Sequence, residues 1–182
     1  MHENVSRPSD WVQRWCEALA PASALDLACG GGRHLRWLAG CGWAVTGVDR
    51  DGAALRPLAG LGELIEADIE NGPWPVEGRR FDLVLVTNYL WRPLLPRIVE
   101  AVAPGGRLVY ETFAAGHEAL GRPSRPDFLL RPGELLSACA GLQVLGYESG
   151  RLEGPARIVQ RIAAQRDQAV HRLPVLGVAS GG

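Results

Sequence analysis

The chain has 182 residues, 47% hydrophobic and 21% charged, with a formal net charge of -1 at pH 7. That length supports one hydrophobic core and is short for two ordinary domains. The near-neutral balance excludes a bulk electrostatic attraction to nucleic acid or to a membrane surface.

No run of about 18 apolar residues occurs, and the N-terminal Met-His-Glu-Asn-Val-Ser-Arg-Pro lacks the apolar stretch of a secretory signal. A cytoplasmic protein with no membrane partner is expected. Its four cysteines, Cys16, Cys29, Cys41 and Cys139, form no CxxC pair and have no histidines at zinc spacing, so free thiols and no metal site are expected.

In chain order, Ser9 or Asp10 caps a first helix with Trp11, Trp15 and Leu19 on one face, ended by Pro21. A short apolar strand at 24–28 runs into the glycine turn Gly30-Gly31-Gly32, then a helix at 33–39. A second strand at 43–48 ends on the carboxylate of Asp49. These pieces form one βαβ unit with a nucleotide-sized notch at its top. A short helix at 51–61 is broken by Pro57, and a third strand at 63–67 ends at Asp68. The segment Asn71-Gly72-Pro73-Trp74-Pro75 must be loop, because two prolines bracket the tryptophan.

The run Phe-Asp-Leu-Val-Leu-Val at 81–86 is continuous enough for a central strand buried on both faces. A helix at 94–102, a turn at Pro104-Gly105-Gly106 and a fifth strand at 107–110 follow. Residues 111–131 read as loop, and Pro132 suits the first turn of a helix at 133–139. Strands at 142–147 and 157–163 are joined by a turn at 150–155 with no helix, so they are antiparallel. The expected fold is α/β: a doubly wound, Rossmann-like, mostly parallel sheet of seven strands closing in a C-terminal antiparallel β-hairpin. One domain is expected over 1–164, with 1–21 as an N-terminal helical segment and a flexible tail over 165–182. Right-handed crossovers place every strand C-terminus along one rim.

The chemistry gathers on that rim. Gly30 and Gly32 allow a sharp turn and let a ligand approach bare peptide N–H groups. A dinucleotide fingerprint needs a glycine three residues after Gly32, where Leu35 stands. Asp26 lies inside the first strand, where a carboxylate is costly unless used; it repels a pyrophosphate and can hold a cation. A nucleoside carrying a positive group fits better than a dinucleotide. Asp49 can accept both ribose hydroxyls, whereas Asp51 is better placed as a helix cap. Asp68 can accept the exocyclic amine of an adenine that Trp74 covers; its competing role is an ordinary turn before Asn71-Gly72.

This constellation resembles the class I S-adenosylmethionine-dependent methyltransferases. The likeness rests on Asp26-Leu27-Ala28-Cys29-Gly30-Gly31-Gly32, Asp49, Ala67-Asp68, Phe81-Asp82-Leu83-Val84 leading to Asn88, and Ala103-Pro104-Gly105-Gly106. It spans roughly residues 25–162 and departs at Ala28, where the family more often has its first glycine. The resemblance implies S-adenosyl-L-methionine as cofactor, with Asp26, Ala28, Cys29, Gly30 and Gly32 at its methionine moiety. It implies Asp49 at the ribose with Arg50 beside it, Asp68 and Ile69 at the adenine, and Asn88 near the sulfonium. The Cys-Gly-x-Gly-Arg turn is similar to that of small single-domain tellurite-resistance and thiol methyltransferases.

The implied reaction is methyl transfer to a small-molecule acceptor by in-line displacement. Enzymes that methylate base amines carry Asn/Asp-Pro-Pro-aromatic after the fourth strand; Asn88-Tyr89-Leu90-Trp91 has no such prolines, which argues against nucleic-acid bases. Tyr89 and Trp91 either wall a small pocket or pack under the next helix. Arg122, Arg125 and Arg131 either capture an anionic acceptor or form solvated turns. The catalytic candidates are Glu111, Tyr89 and Arg122, with Glu111 expected to point toward the rim and His117 ranked behind it. Three rivals remain: an NAD-type oxidoreductase, a non-catalytic cofactor-binding partner protein and an RNA-modifying methyltransferase. No signal for an oligomeric state is present.

Overall fold

The structure is a computed structural model that describes residues 7–167. Its helices are α1 (Asp10–Cys16), α2 (Arg33–Gly40), α3 (Gly52–Leu55), α4 (Leu95–Glu100) and α5 (Glu134–Ala138). Its strands are β1 (Ser23–Leu27), β2 (Ala44–Asp49), β3 (Glu63–Glu66), β4 (Phe81–Thr87), β5 (Val102–Phe113), β6 (Gln143–Leu152) and β7 (Arg157–Gln165). They form one seven-stranded sheet in the order β3-β2-β1-β4-β5-β7-β6. The first five strands are parallel, and β7 runs antiparallel between β5 and β6. This is the mostly parallel sheet with an antiparallel hairpin expected from the sequence. The strand order reverses between β1 and β4, which is where ligands bind in open α/β sheets.

Both faces of the sheet are covered. One layer packs Leu25, Leu27, Val84, Val86, Leu108 and Tyr110 against α4 and α5; the other packs Ala24, Leu83, Leu85 and Val109 against α1 and α2. The alternation along each strand sorts chemistry as well as packing. Asp26, Thr87 and Glu111 share the α1/α2 face, because each lies an even number of residues from Ala24, Leu85 or Val109. Among the described residues, no helix is long and apolar enough to cross a membrane.

Several boundaries differ from the sequence expectation. The first helix ends at Cys16, short of Pro21, because Leu19 N–H takes the Cys16 carbonyl in a tight turn that sends the chain toward β1. Ser9 is its cap, accepting from the N–H groups of Trp11 and Val12. Residues 104–106 are part of β5 and not a separate turn; the β4–β5 register jumps between Phe81 and Leu83, and this bulge absorbs the extra residues. At its other end β5 continues to Phe113, so Glu111 lies within a strand and not in a loop.

The hairpin strands are also longer, which shrinks the expected 150–155 turn to 153–156. Gln165, expected to begin the flexible tail, closes β7, and its side chain donates to the Gly105 carbonyl. Arg166 is tied down by bonds to the carbonyls of Val102 (2.7 Å) and Val99 (2.6 Å). The rest of the expected tail, 168–182, lies outside the described residues.

Candidate active site

Ala28 and Asn88, the residues immediately after β1 and β4, are the only non-glycine residues with positive φ among those described, at 52° and 54°. That backbone costs an L-residue of order 1–2 kcal/mol and collects at functional sites. The two strained residues flank the point where the strand order reverses. Both line two adjoining cavities, of about 400 Å³ and 430 Å³.

The first cavity takes Asp49 and Arg50 from the end of β2, and Ala67, Asp68, Ile69 and Glu70 from the segment after β3. Asn88, Tyr89 and Leu90 follow β4, and Thr112 and Phe113 end β5. Pro123 and Phe128 reach in from the connection between β5 and α5. The second cavity is walled by the turn from Ala28 to Gly32, by Arg33, His34 and Arg36 of α2, and by Thr87 and Asn88.

Asp49 organises this rim. One carboxylate oxygen accepts the Gly30 N–H at 2.7 Å, and the other accepts the Asp51 N–H at 2.9 Å. Asp51, not Asp49, caps the following helix, accepting from Ala53 and Ala54. Gly32 stands at the start of α2 with φ of 70°, and a Cβ there would lie 2.5 and 2.6 Å from the methyl carbons of buried Leu58. Only glycine fits, for conformation and for space.

Asp68 lines the first cavity, but its carboxylate accepts the Glu70 and Asn71 N–H groups and the Asn71 side-chain amide. These bonds, the Asn71 side chain foremost, hold its pKa below the usual range. The turn role is therefore filled, and Oδ2, with one partner, keeps acceptor capacity.

Asp26 is 1% exposed, and neither carboxylate oxygen has a hydrogen-bond partner among the described residues. Burial pushes its pKa up to about 7, with Arg33 opposing the rise and Asp49 adding to it. Arg33 is half-buried and its Nη2 is likewise buried without a partner; burial lowers its pKa. His34 is buried, and its Nε2 accepts the Ser9 N–H at 3.1 Å, which places the ring proton on Nδ1, 3.5 Å from Thr87 Oγ1. Burial, with Arg33 adding to it, pushes its pKa down to about 3, so it stays neutral. Burial raises the Cys29 thiol pKa, which keeps it protonated at neutral pH.

Of the catalytic candidates, only Tyr89 lines a cavity. Its hydroxyl is buried and unpartnered; burial raises its pKa, and Glu70 adds to that rise from outside hydrogen-bond geometry. Glu111 does not point to the rim. It is 0% exposed, 3.4 Å from both Arg157 and Arg161. Arg122 is exposed and lines neither cavity, although the next residue, Pro123, does. Trp74 packs on the core away from both cavities, as does Trp91.

Sequence reasoning passed over Arg33, His34, Thr112, Phe113, Pro123 and Phe128. The signal for Arg33 and His34 was their place directly after the glycine turn; Thr112 and Phe113 needed the extension of β5, and Pro123 and Phe128 the path of the 114–131 connection. Among the described residues no cluster of three or more His, Cys, Asp or Glu could hold a metal.

Residues 24–106 match the methyltransferase domain family. That match spans a little under half of the chain. The chain is 21% identical to TehB from Haemophilus influenzae (TM-score 0.66), over 83% of this chain and 59% of that one. It is 21% identical to a TehB-like S-adenosylmethionine-dependent methyltransferase from Corynebacterium glutamicum (TM-score 0.64), over 86% and 88% of the two chains. Magnesium protoporphyrin IX methyltransferase from Synechocystis, with S-adenosylhomocysteine bound, is 17% identical (TM-score 0.61) over 83% and 76%. These likenesses show the fold, and the chain spans about three-fifths of TehB's length. No curated protein shows a significant match.

The departure at Ala28 has a physical cost, because an alanine stands in the left-handed region. Ala28→Gly is expected to raise stability by about 0.5–1 kcal/mol, the relief of strain exceeding glycine's larger unfolded-state entropy. Thermal unfolding would show this as a Tm higher by about 1–4 °C for a chain of this size.

Proposed function

We propose that this chain transfers a methyl group from S-adenosylmethionine to a small-molecule acceptor. The observation that carries this reading is the meeting of two cavities at strained Ala28 and Asn88, on the switch point, beside Asp49. When bound, the cofactor supplies a methyl group already activated on a positively charged sulfur.

The residues fit that group. Asp49 keeps acceptor capacity after its two backbone bonds and would hold the ribose hydroxyls; Arg50 would flank them. Ile69 and Asp68 would hold the adenine. Asp26 and Arg33 offer opposite charges, each with a buried, unpartnered atom, beside the Ala28–Gly32 turn. Together they suit an α-amino acid zwitterion, Asp26 for the ammonium and Arg33 for the carboxylate, with Cys29, Gly30 and Gly32 presenting backbone. Asn88, at the seam of the cavities, would stand beside the reacting centre. The chain's contribution is orientation and exclusion of water, which is worth about 7–11 kcal/mol of such a barrier. Tyr89 walls the site as a neutral phenol.

The Asp26 assignment makes a signed prediction. With a pKa near 7, Asp26 is protonated at lower pH and must ionise to hold the ammonium. Affinity for S-adenosylhomocysteine should therefore rise by about tenfold per pH unit up to 7 and level off above it. Titration calorimetry at several pH values, in two buffers of different ionisation enthalpy, would show a proton released on binding below pH 7. An affinity that is flat or falls across this range would contradict the role of Asp26.

A further inference from the structure

The first cavity is divided by charge. All four of its charged residues, Asp49, Arg50, Asp68 and Glu70, come from the end of β2 and the segments after β2 and β3. The part that follows β4 and β5 is walled by Asn88, Tyr89, Leu90, Thr112, Phe113, Pro123 and Phe128; it holds no charged side chain, and its polar groups are the Asn88 amide and the Tyr89 and Thr112 hydroxyls. None of the three arginines that the sequence placed over this region lines either cavity. Arg125 pairs with Asp127 at 3.0 Å and lies 5.3 Å over the Phe128 ring, and Arg122 and Arg131 are exposed. An anion entering here would face three carboxylates and one arginine.

Two anchors hold this apolar wall in place. His117 is 4% exposed; its Nδ1 accepts the Ile158 N–H at 3.3 Å, so its Nε2 carries the proton and donates to the Arg122 carbonyl at 3.1 Å. Its ring lies 4.4 Å from that of Phe113. On the other side Arg92, paired with Glu134 at 2.7 Å, donates to the carbonyls of Asp127 and Leu129, both at 2.8 Å, and so brackets Phe128. Phe128 is 37% exposed, so its ring lines the cavity and also meets solvent.

We propose that this half of the cavity receives an uncharged, apolar, ring-bearing acceptor, a proposal that rests on the methyltransferase reading above. His117 and Arg92 are positioning residues for it, fixing the wall so that little ordering cost falls on binding.

The test uses protein saturated with S-adenosylhomocysteine, titrated calorimetrically with phenylmethanethiol and with mercaptoacetate. Both probes are alkyl thiols that stay protonated on sulfur at neutral pH, and they differ in an uncharged ring against a carboxylate. Phenylmethanethiol is expected to bind at least about tenfold more tightly, as burial of a ring at about 25 cal/mol per Å² allows. Phe128→Ser, a partly exposed position, is expected to erase most of that preference, with S-adenosylhomocysteine affinity of the variant measured first so that each titration starts from saturated protein. Mercaptoacetate binding as tightly as phenylmethanethiol, or a preference that survives Phe128→Ser, would overturn the proposal and leave the cofactor reading intact. Absence of S-adenosylhomocysteine binding would overturn the cofactor reading and this proposal with it.

Discussion

Asp49→Ala is expected to weaken S-adenosylhomocysteine binding by at least about a hundredfold. Two charge-assisted hydrogen bonds to ribose are each worth about 1.5–3 kcal/mol, and about 1.4 kcal/mol is one decade of affinity. The same carboxylate also holds the Gly30 N–H at 2.7 Å and the Asp51 N–H at 2.9 Å, so its loss loosens the glycine turn as well. Asp49→Asn should lie between wild type and alanine, because an amide still presents one oxygen. Calorimetry on the two variants checks this, with thermal unfolding as a control for folding. A change smaller than tenfold in the alanine variant would contradict the ribose assignment.

Arg161→Met is expected to be among the most destabilising single changes. The Arg161 side chain is 15% exposed and joins two carboxylates, the fully buried Glu111 at 3.4 Å and Glu148 at 2.5 Å. Its guanidinium also sits 4.8 Å over the Trp11 ring, tying α1 to the sheet. Methionine keeps much of the volume but leaves Glu111 buried with Arg157 alone. Breaking a buried pair in this way costs about 3–5 kcal/mol, which corresponds to a Tm lower by about 6–20 °C in a chain of this size. The double variant Arg161→Met/Glu111→Gln should recover a substantial part of that loss, since the uncompensated charge is gone. A double variant no more stable than the single one would show that Glu111 is not the source of the cost.

The central half of this molecule is legible in its sequence because local chemistry and global fold agree there. The apolar run at β4, the glycine turn and the carboxylate at the end of β2 each have few alternative uses, and together they locate the switch point. Residues 111–131 read poorly for a definite reason. A glutamate directly after an apolar strand looks like the start of a loop, since a charge inside a central strand is costly. What makes Glu111 tolerable there is Arg161, its register partner on β7, fifty residues away. Long-range ion pairing of this kind leaves no local pattern.

The same distance hid the acceptor half of the cavity. Arg122, Arg125 and Arg131 are prominent in the sequence, whereas the side chains that reach the cavity are the plain apolar Pro123 and Phe128 beside them. Which residues of a proline-rich connection face inward is decided by remote anchors such as His117 and Arg92, not by composition. Asp26 shows the reverse case. Its position inside a strand signalled a cost, and the structure shows that cost in two buried, unpartnered oxygens.

Binding of S-adenosylmethionine at this rim is tested most directly by titration calorimetry of the full chain at pH 8 with S-adenosylhomocysteine and, separately, with NADH. Saturable heat at one S-adenosylhomocysteine per chain and none with NADH is the expected result. No heat with S-adenosylhomocysteine, or saturable binding of NADH in its place, would contradict it.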